Sequence, residues 1–269
     1  MRVIRRYRGF LYGAVLFGLV LCFVPGIRYG ANGAYRWIGF GPVHWQPSEF
    51  AKIIVLIMLA DYLDTFRRQI ADSRVVLKSI LVPLPALMLI LPQPDFGTTA
   101  IIAGLCCIMV FMAGLRMAHT AVAICGALII GIPAMIWDPY RVQRLTSFLD
   151  PWKTMDAEGY HVIQSWVAMH SGGFWGQGLG NSVAKLHFLP EPWTDFIGAV
   201  IAEELGLAAI FVLVGLYTLF LWRGLYIARH ARDSFSMLLA STLTIMVGLE
   251  AFFNLGVVMG ILPPKGLVL

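Results

Sequence analysis

His187-Phe188-Leu189-Pro190-Glu191-Pro192-Trp193-Thr194-Asp195-Phe196-Ile197 closes a long polar stretch, Asp138 to Trp193, and runs straight into an apolar segment. On either side the chain reads as hydrophobic helix. Loops of this length between helices are functional or disordered. The Trp, Tyr and apolar residues inside this one argue against disorder, so it is read as the working part.

Composition places that loop in a membrane setting. Of 269 residues, 59% are apolar and 13% charged, about half the charge of a soluble domain. The chain therefore divides into spans of roughly 20 residues rather than soluble domains. A net charge of +5 needs no nucleic acid, because polytopic proteins carry Lys and Arg on their cytoplasmic side. Cys22, Cys106, Cys107 and Cys125 all fall in apolar segments without ligand spacing and read as small hydrophobes. The start, Met1 to Arg8, followed by an apolar run, lacks a cleavage-site pattern and reads as a retained first span.

Seven apolar segments follow, at about 9–26, 48–66, 75–94, 97–115, 118–137, 197–222 and 235–260. The expected fold is an all-α polytopic integral membrane protein, a single membrane domain over 1–269. It has about seven transmembrane helices and a large extracytoplasmic loop, 138–196, between the fifth and sixth. Pro83, Pro85, Pro92 and Pro94 predict kinks in the third span rather than breaks. Loop charges put the amino terminus, Arg67–Lys78 and Arg223–Arg232 on the cytoplasmic side and the long loop outside.

Several polar groups gather on the outer side. Ser48 is a candidate N-cap, and Glu49 and Lys52, three apart, share a helix face as a salt bridge or as substrate contacts. Asp95 either caps the next helix or meets substrate. Arg141 and Arg144 sit three apart on an extension of the fifth span. Val162, Ile163, Trp166, Val167 and His170 recur at helical spacing, and Gly172-Gly173 ends that short amphipathic helix. Gly176, Gly178 and Gly180 lack the register and βαβ context of a nucleotide fingerprint; they suit close backbone approach instead. Glu203 and Glu204, adjacent in an apolar helix, point about 100° apart, so each needs its own partner or function.

No His-Glu-x-x-His, Cys/His spacing or Gly-x-Ser-x-Gly appears, and His161, His170 and His187 lack ligand spacing. The outer face offers carboxylates (Asp95, Glu191, Asp195) and cations (Arg36, Lys52, Arg141, Arg144, Lys185, Lys265) beside an apolar boundary. That set suits a lipid-tailed substrate with a phosphate head and a hydroxyl to activate. A transporter has the same features. Taken alone, Asp195 before a helix reads as an N-cap, and Glu191 positions the loop or touches substrate or metal.

A set of motifs narrows this. In order they are Gly33-Ala34-x-Arg36-Trp37-Ile38, Gln46-Pro47-Ser48-Glu49-x-x-Lys52, Gln93-Pro94-Asp95-x-Gly97-Thr98 and Gly159-Tyr160-x-x-Ile163-Gln164-Ser165. Gly176-x-Gly178-x-Gly180, Leu189-Pro190-Glu191-x-x-Thr194-Asp195-Phe196-Ile197 and Glu203-Glu204-Leu205-Gly206 complete the series. From about Gly33 to Leu269 the chain resembles the shape, elongation, division and sporulation proteins, the FtsW/RodA/SpoVE group. Gly178 to Leu186 resembles the division branch, FtsW, more than the elongation branch.

The resemblance implies a peptidoglycan glycosyltransferase, multi-pass in the bacterial cytoplasmic membrane and active on its outer face at the septum. It would polymerise lipid II into glycan with release of undecaprenyl pyrophosphate. It implies Asp195 as catalytic residue; Arg36, Lys52, Glu49, Asp95, Arg144, Lys185 and Glu191 are the substrate-binding candidates that the charged residues themselves offer. Lys52, Arg36 or Arg144 and a divalent cation, Mg or Mn, would meet the pyrophosphate, with no organic cofactor. The implied partners are the nascent strand, a class B penicillin-binding protein that crosslinks the product, and other membrane proteins of the divisome. About ten spans are implied, so with seven counted the chain is expected to be a fragment, lacking two spans before residue 1 and one after Leu269. Glu250 stands where the family is typically uncharged. A lipid-linked precursor flippase, with Glu203, Glu204 and Glu250 on a polar path, and a non-catalytic scaffold are the alternatives.

Overall fold

The computed structural model describes residues 2–31, 34–40, 43–70, 72–114, 150–154, 158–185 and 195–262. The fifth expected span, 118–137, lies outside them, as do Arg144 and Glu191. The other six apolar segments carry helix. In order come α1 (Arg2–Leu21), α2 (Pro47–Thr65), α3 (Ser73–Ile80), α4 (Leu84–Ile90), α5 (Phe96–Met112), α6 (Glu158–Gly172), α7 (Ile197–Arg229) and α8 (Ser234–Val258). Among the described residues α7 and α8, with 33 and 25 residues, are long and apolar enough to cross a membrane.

The fold is mostly helical rather than all-α. Between α1 and α2 an antiparallel sheet forms from β1 (Arg28–Ala31), β2 (Ala34–Phe40) and β3 (Val43–Trp45), in the order β1-β2-β3. Aromatic and β-branched residues favour the pleated conformation there. Ile38, opposite Arg28 and Trp45, is 1% exposed. Arg36, two residues earlier, shares its face.

The third segment also differs from expectation: it breaks rather than kinks. α3 ends at Ile80 and α4 starts at Leu84, with three turn residues between them. Pro83 and Pro85 supply no amide donors, and the Tyr12 hydroxyl donates to the Val82 carbonyl at 2.5 Å. A side chain from α1 thus satisfies a backbone group at the break.

The chain forms two compact units, Met1–Cys125 with Gly224–Met246, and Gly126–Arg223 with Val247–Leu269. In the first, Leu19 of α1, Val55, Leu56 and Leu59 of α2, and Ile102 and Leu105 of α5 are fully buried. Past this core, near the carboxyl end of α2, Arg5 pairs with Asp61 and with Asp64 at 2.8 Å, and Arg8 with Asp61 at 2.7 Å. Arg5 also lies over the Phe235 ring, 5.1 Å from its centroid.

In the second unit α6 packs on the end of α8. Ser165 donates to the Val258 carbonyl at 3.1 Å, and Ala168, Ala184, Phe196, Ala199, Val257 and Val258 form one apolar cluster. α7 is interrupted at Gly206, which has φ +79° and ψ −179°. The interruption frees backbone groups, and the segment after α6 takes them. Gln177 and Gly178 donate to the carbonyls of Glu203 and Glu204, each at 2.9 Å. Leu207 and Ala208 donate to those of Gly173 and Phe174 at 3.0 and 3.2 Å. A side chain at Gly206 would meet the Phe174 carbonyl, and one at Gly176 the Glu204 carbonyl. Gly206→Ala is therefore expected to destabilise the protein by about 2 kcal/mol or more. Gly215→Ala, a helical position with nothing within 4 Å, is expected to leave stability unchanged or slightly raised in the same thermal unfolding measurement in detergent.

Candidate functional site

Among the described residues, each unit gathers some of the sequence-derived candidates into a polar cluster. In the first, Asp95 caps α5, accepting from the Thr98 amide at 3.2 Å. The same carboxylate accepts from Gln46 Nε2 at 3.3 Å and Ser48 Oγ at 3.4 Å, and lies 3.9 Å from Arg36. Arg36, projecting from β2, donates to the carbonyls of Gln93 at 3.2 Å and Pro94 at 2.9 Å. The cap and a partnered role for Asp95 thus coexist. Ser48 is not the N-cap of α2: Gln46 holds that position with Pro47 as the first helical residue, a place where a missing amide costs nothing. One turn on, Lys52 is 4% exposed and pairs with Glu49 at 2.7 Å. Of the sequence-derived candidates, Arg36 and Asp95 are brought together, and Glu49 and Lys52 form the expected pair.

In the second unit Asp195 sits half-buried just before the first turn of α7. Phe196 behind it is 4% exposed and belongs to the apolar cluster against α8. Ala199, fully buried, packs in the same cluster. The acid is therefore carried on a packed element rather than on a free loop.

Two turns along, Glu203 and Glu204 hold one loop between them. Glu203, 3% exposed, accepts from the Ser182 hydroxyl and from the amides of Val183 at 3.1 Å and Ala184 at 3.2 Å. Glu204 pairs with Lys185 at 2.8 Å and accepts from the Ser182 amide at 3.4 Å. Lys185 also donates to the Gly180 carbonyl at 2.6 Å, so its three protons are largely committed within the loop. Adjacent carboxylates that diverge around the helix reach different points on the same segment.

Gln46, Gln93 and Ser182 stand in the motifs and stretches named above, but the sequence assigned them no role. Gln46 and Gln93 each precede a Pro at the head of a helix, a signal that could have marked them. Ser182 lies 21 residues from Glu203, beyond any local spacing rule. No group of three or more His, Cys, Asp or Glu side chains suited to a metal occurs among the described residues.

Against known proteins, the family described as Cell cycle protein, FTSW_RODA_SPOVE, matches residues 1–269. The chain belongs to the FtsW/RodA/SpoVE family. It is 42% identical over 257 residues to a probable peptidoglycan glycosyltransferase FtsW of Nitrosococcus halophilus, covering 93% of this chain and 66% of that one. It is 37% identical over 254 residues to the stage V sporulation protein E of Bacillus subtilis, covering 94% and 69%. The chain spans about two thirds of the length of the curated relatives it matches.

Among solved structures, a chain from work on structural coordination of polymerization and crosslinking by a peptidoglycan synthase complex superposes with a TM-score of 0.78 at 30% identity. That match covers 100% of this chain and 75% of the other. The rod shape determining protein RodA of Thermus thermophilus gives a TM-score of 0.65 at 29% identity, covering 98% and 71%. The membrane fold of this family is thus the fold described above.

The Lys185–Glu204 pair is part-buried and well formed, so its coupling is expected near 1 kcal/mol. Lys185→Met is expected to cost about 1 kcal/mol less in a Glu204→Gln background than in the wild type, the remaining loss being its bond to the Gly180 carbonyl. A double-mutant cycle on unfolding temperature checks this.

Proposed function

We propose that this chain is the membrane core of a peptidoglycan glycosyltransferase of the division branch, with Asp195 as its general base. The observation that carries the reading is Asp195 itself. It is a half-buried carboxylate at the head of α7, in a family whose relatives bear the name peptidoglycan glycosyltransferase. Asp195 takes the proton from the acceptor sugar hydroxyl, whose oxygen attacks the anomeric carbon of the lipid-linked donor. The glycosidic C–O bond forms as the bond to the pyrophosphate oxygen breaks, and undecaprenyl pyrophosphate leaves. The substrate is lipid II, and the product strand passes to a class B penicillin-binding protein; the similarity to a chain of a peptidoglycan synthase complex supports such a partner. The protein acts in the bacterial inner membrane with this site outward, at the septum.

Packing suits the role. Phe196 and Ala199, both in the apolar cluster, fix the backbone on which Asp195 stands, and catalysis by positioned groups demands fixed geometry. Two of the three carboxylates that a flippase path would use, Glu203 and Glu204, are engaged in holding the 180–185 loop.

The test is polymerisation of fluorescent lipid II in detergent by the purified protein that carries this chain, together with its transpeptidase. Glycan ladders are expected from the wild type. With Asp195→Asn they are expected to fall by about a hundredfold or more, with the unfolding temperature held within about 2 °C. A flippase has no two sides to work between in detergent and yields no ladder. Ladders of normal intensity from the amide variant would exclude Asp195 as the base.

A further inference from the structure

We infer that Glu203 is a positioning residue for the reaction assigned to Asp195, an inference that rests on that assignment. Eight residues separate the two along the chain, about 12 Å of helix rise, too far to share a proton. Glu203 acts through the loop it holds. Its carboxylate takes the Ser182 hydroxyl and the amides of Val183 and Ala184, with the Ser171 hydroxyl at 3.5 Å. Ala184, 7% exposed, lies in the same apolar cluster as Phe196 and Ala199. Phe196 follows Asp195 directly. The line of contact therefore runs from the Glu203 carboxylate to Ala184, from Ala184 into the cluster, and from Phe196 to the backbone that bears the acid.

The backbone of Glu203 adds a second tether, since its carbonyl accepts from the Gln177 amide at 2.9 Å. A carboxylate in an apolar helix is costly to maintain unless its donors are arranged for it. Here three donors come from consecutive residues, 182 to 184. That arrangement gives the loop one register against α7. Small displacements of a catalytic group cost rate far more than they cost binding. The inference therefore predicts an effect on turnover.

Glu203→Gln and Ser182→Ala test it in the lipid II assay. The Val183 and Ala184 amides bond to different oxygens of the carboxylate, so the glutamine, with one oxygen and one NH2, leaves one of them without an acceptor; the alanine removes the hydroxyl donor to Glu203 and the acceptor that the Lys185 amide uses at 3.3 Å. Glu203→Gln is expected to lower kcat about tenfold or more, with KM for lipid II within about twofold. Unfolding temperature stays within about 2 °C of wild type. Ser182→Ala is expected to give a smaller loss of the same kind, and it carries the test if Glu203→Gln fails to fold. Trypsin cleavage after Lys185 is expected to quicken several-fold in Glu203→Gln. Wild-type kcat in the folded variants, a rise in KM alone, or unchanged cleavage would each overturn the inference. If the wild type made no glycan, the reaction itself would fall; the cleavage arm would still report whether Glu203 clamps the loop.

Discussion

The second unit depends on a helix that stops and restarts within an apolar segment. Between Glu203 and Ala208 the regular ladder of α7 is lost, and its carbonyls and amides need partners where water is scarce. The Gly173–Gly178 segment supplies them in four backbone bonds, two in each direction. Gly206 makes the break possible, because its φ of +79° with extended ψ is open essentially to glycine alone. Gly176 makes the approach possible, because any side chain there would strike the Glu204 carbonyl. Neither half of the exchange stands without the other.

Once the backbones are joined, the side chains of the two glutamates have partners within reach. Glu203 faces the 182–184 amides, and Glu204 faces Lys185. A charge in a span is expensive alone but tolerable when paired. Holding the loop places Ala184 in the cluster with Phe196, which fixes the head of α7 and the acid upon it. The first unit spends its charges differently, at opposite ends of α2. Arg5 and Arg8 meet Asp61 and Asp64 near one end, and Glu49 meets Lys52 near the other. Between those ends the helix buries Val55, Leu56 and Leu59 completely.

Much of this was legible in the sequence where the cause is local. α6 and its end at Gly172-Gly173 follow from helical spacing and a glycine stop, and Gly173 has φ +56°. The Glu49–Lys52 pair follows from a three-residue spacing, and the Asp95 cap from its place before a helix. The close approach at Gly176 was readable from its glycine-rich surroundings. What was not legible depends on distant chain. The sheet over residues 28–45 was passed over because its strands are short and glycine-punctuated between two helices. The break at Pro83 was expected as a kink, because the Tyr12 hydroxyl that satisfies it lies 70 residues away. Glu203 and Glu204 were seen to need partners, but nothing local to them names Ser182 and Lys185, 21 and 19 residues back.

The four cross-bonds at the break can be measured directly by hydrogen–deuterium exchange on the protein in nanodiscs. Gln177, Gly178, Leu207 and Ala208 should exchange as slowly as the amides inside α8, although Gln177 and Gly178 lie in a glycine-rich segment outside any helix. Rapid exchange at Gln177 and Gly178, at the rate of an open loop, would mean that the break in α7 is closed by something other than this segment, and the account of the site built upon it would be contradicted.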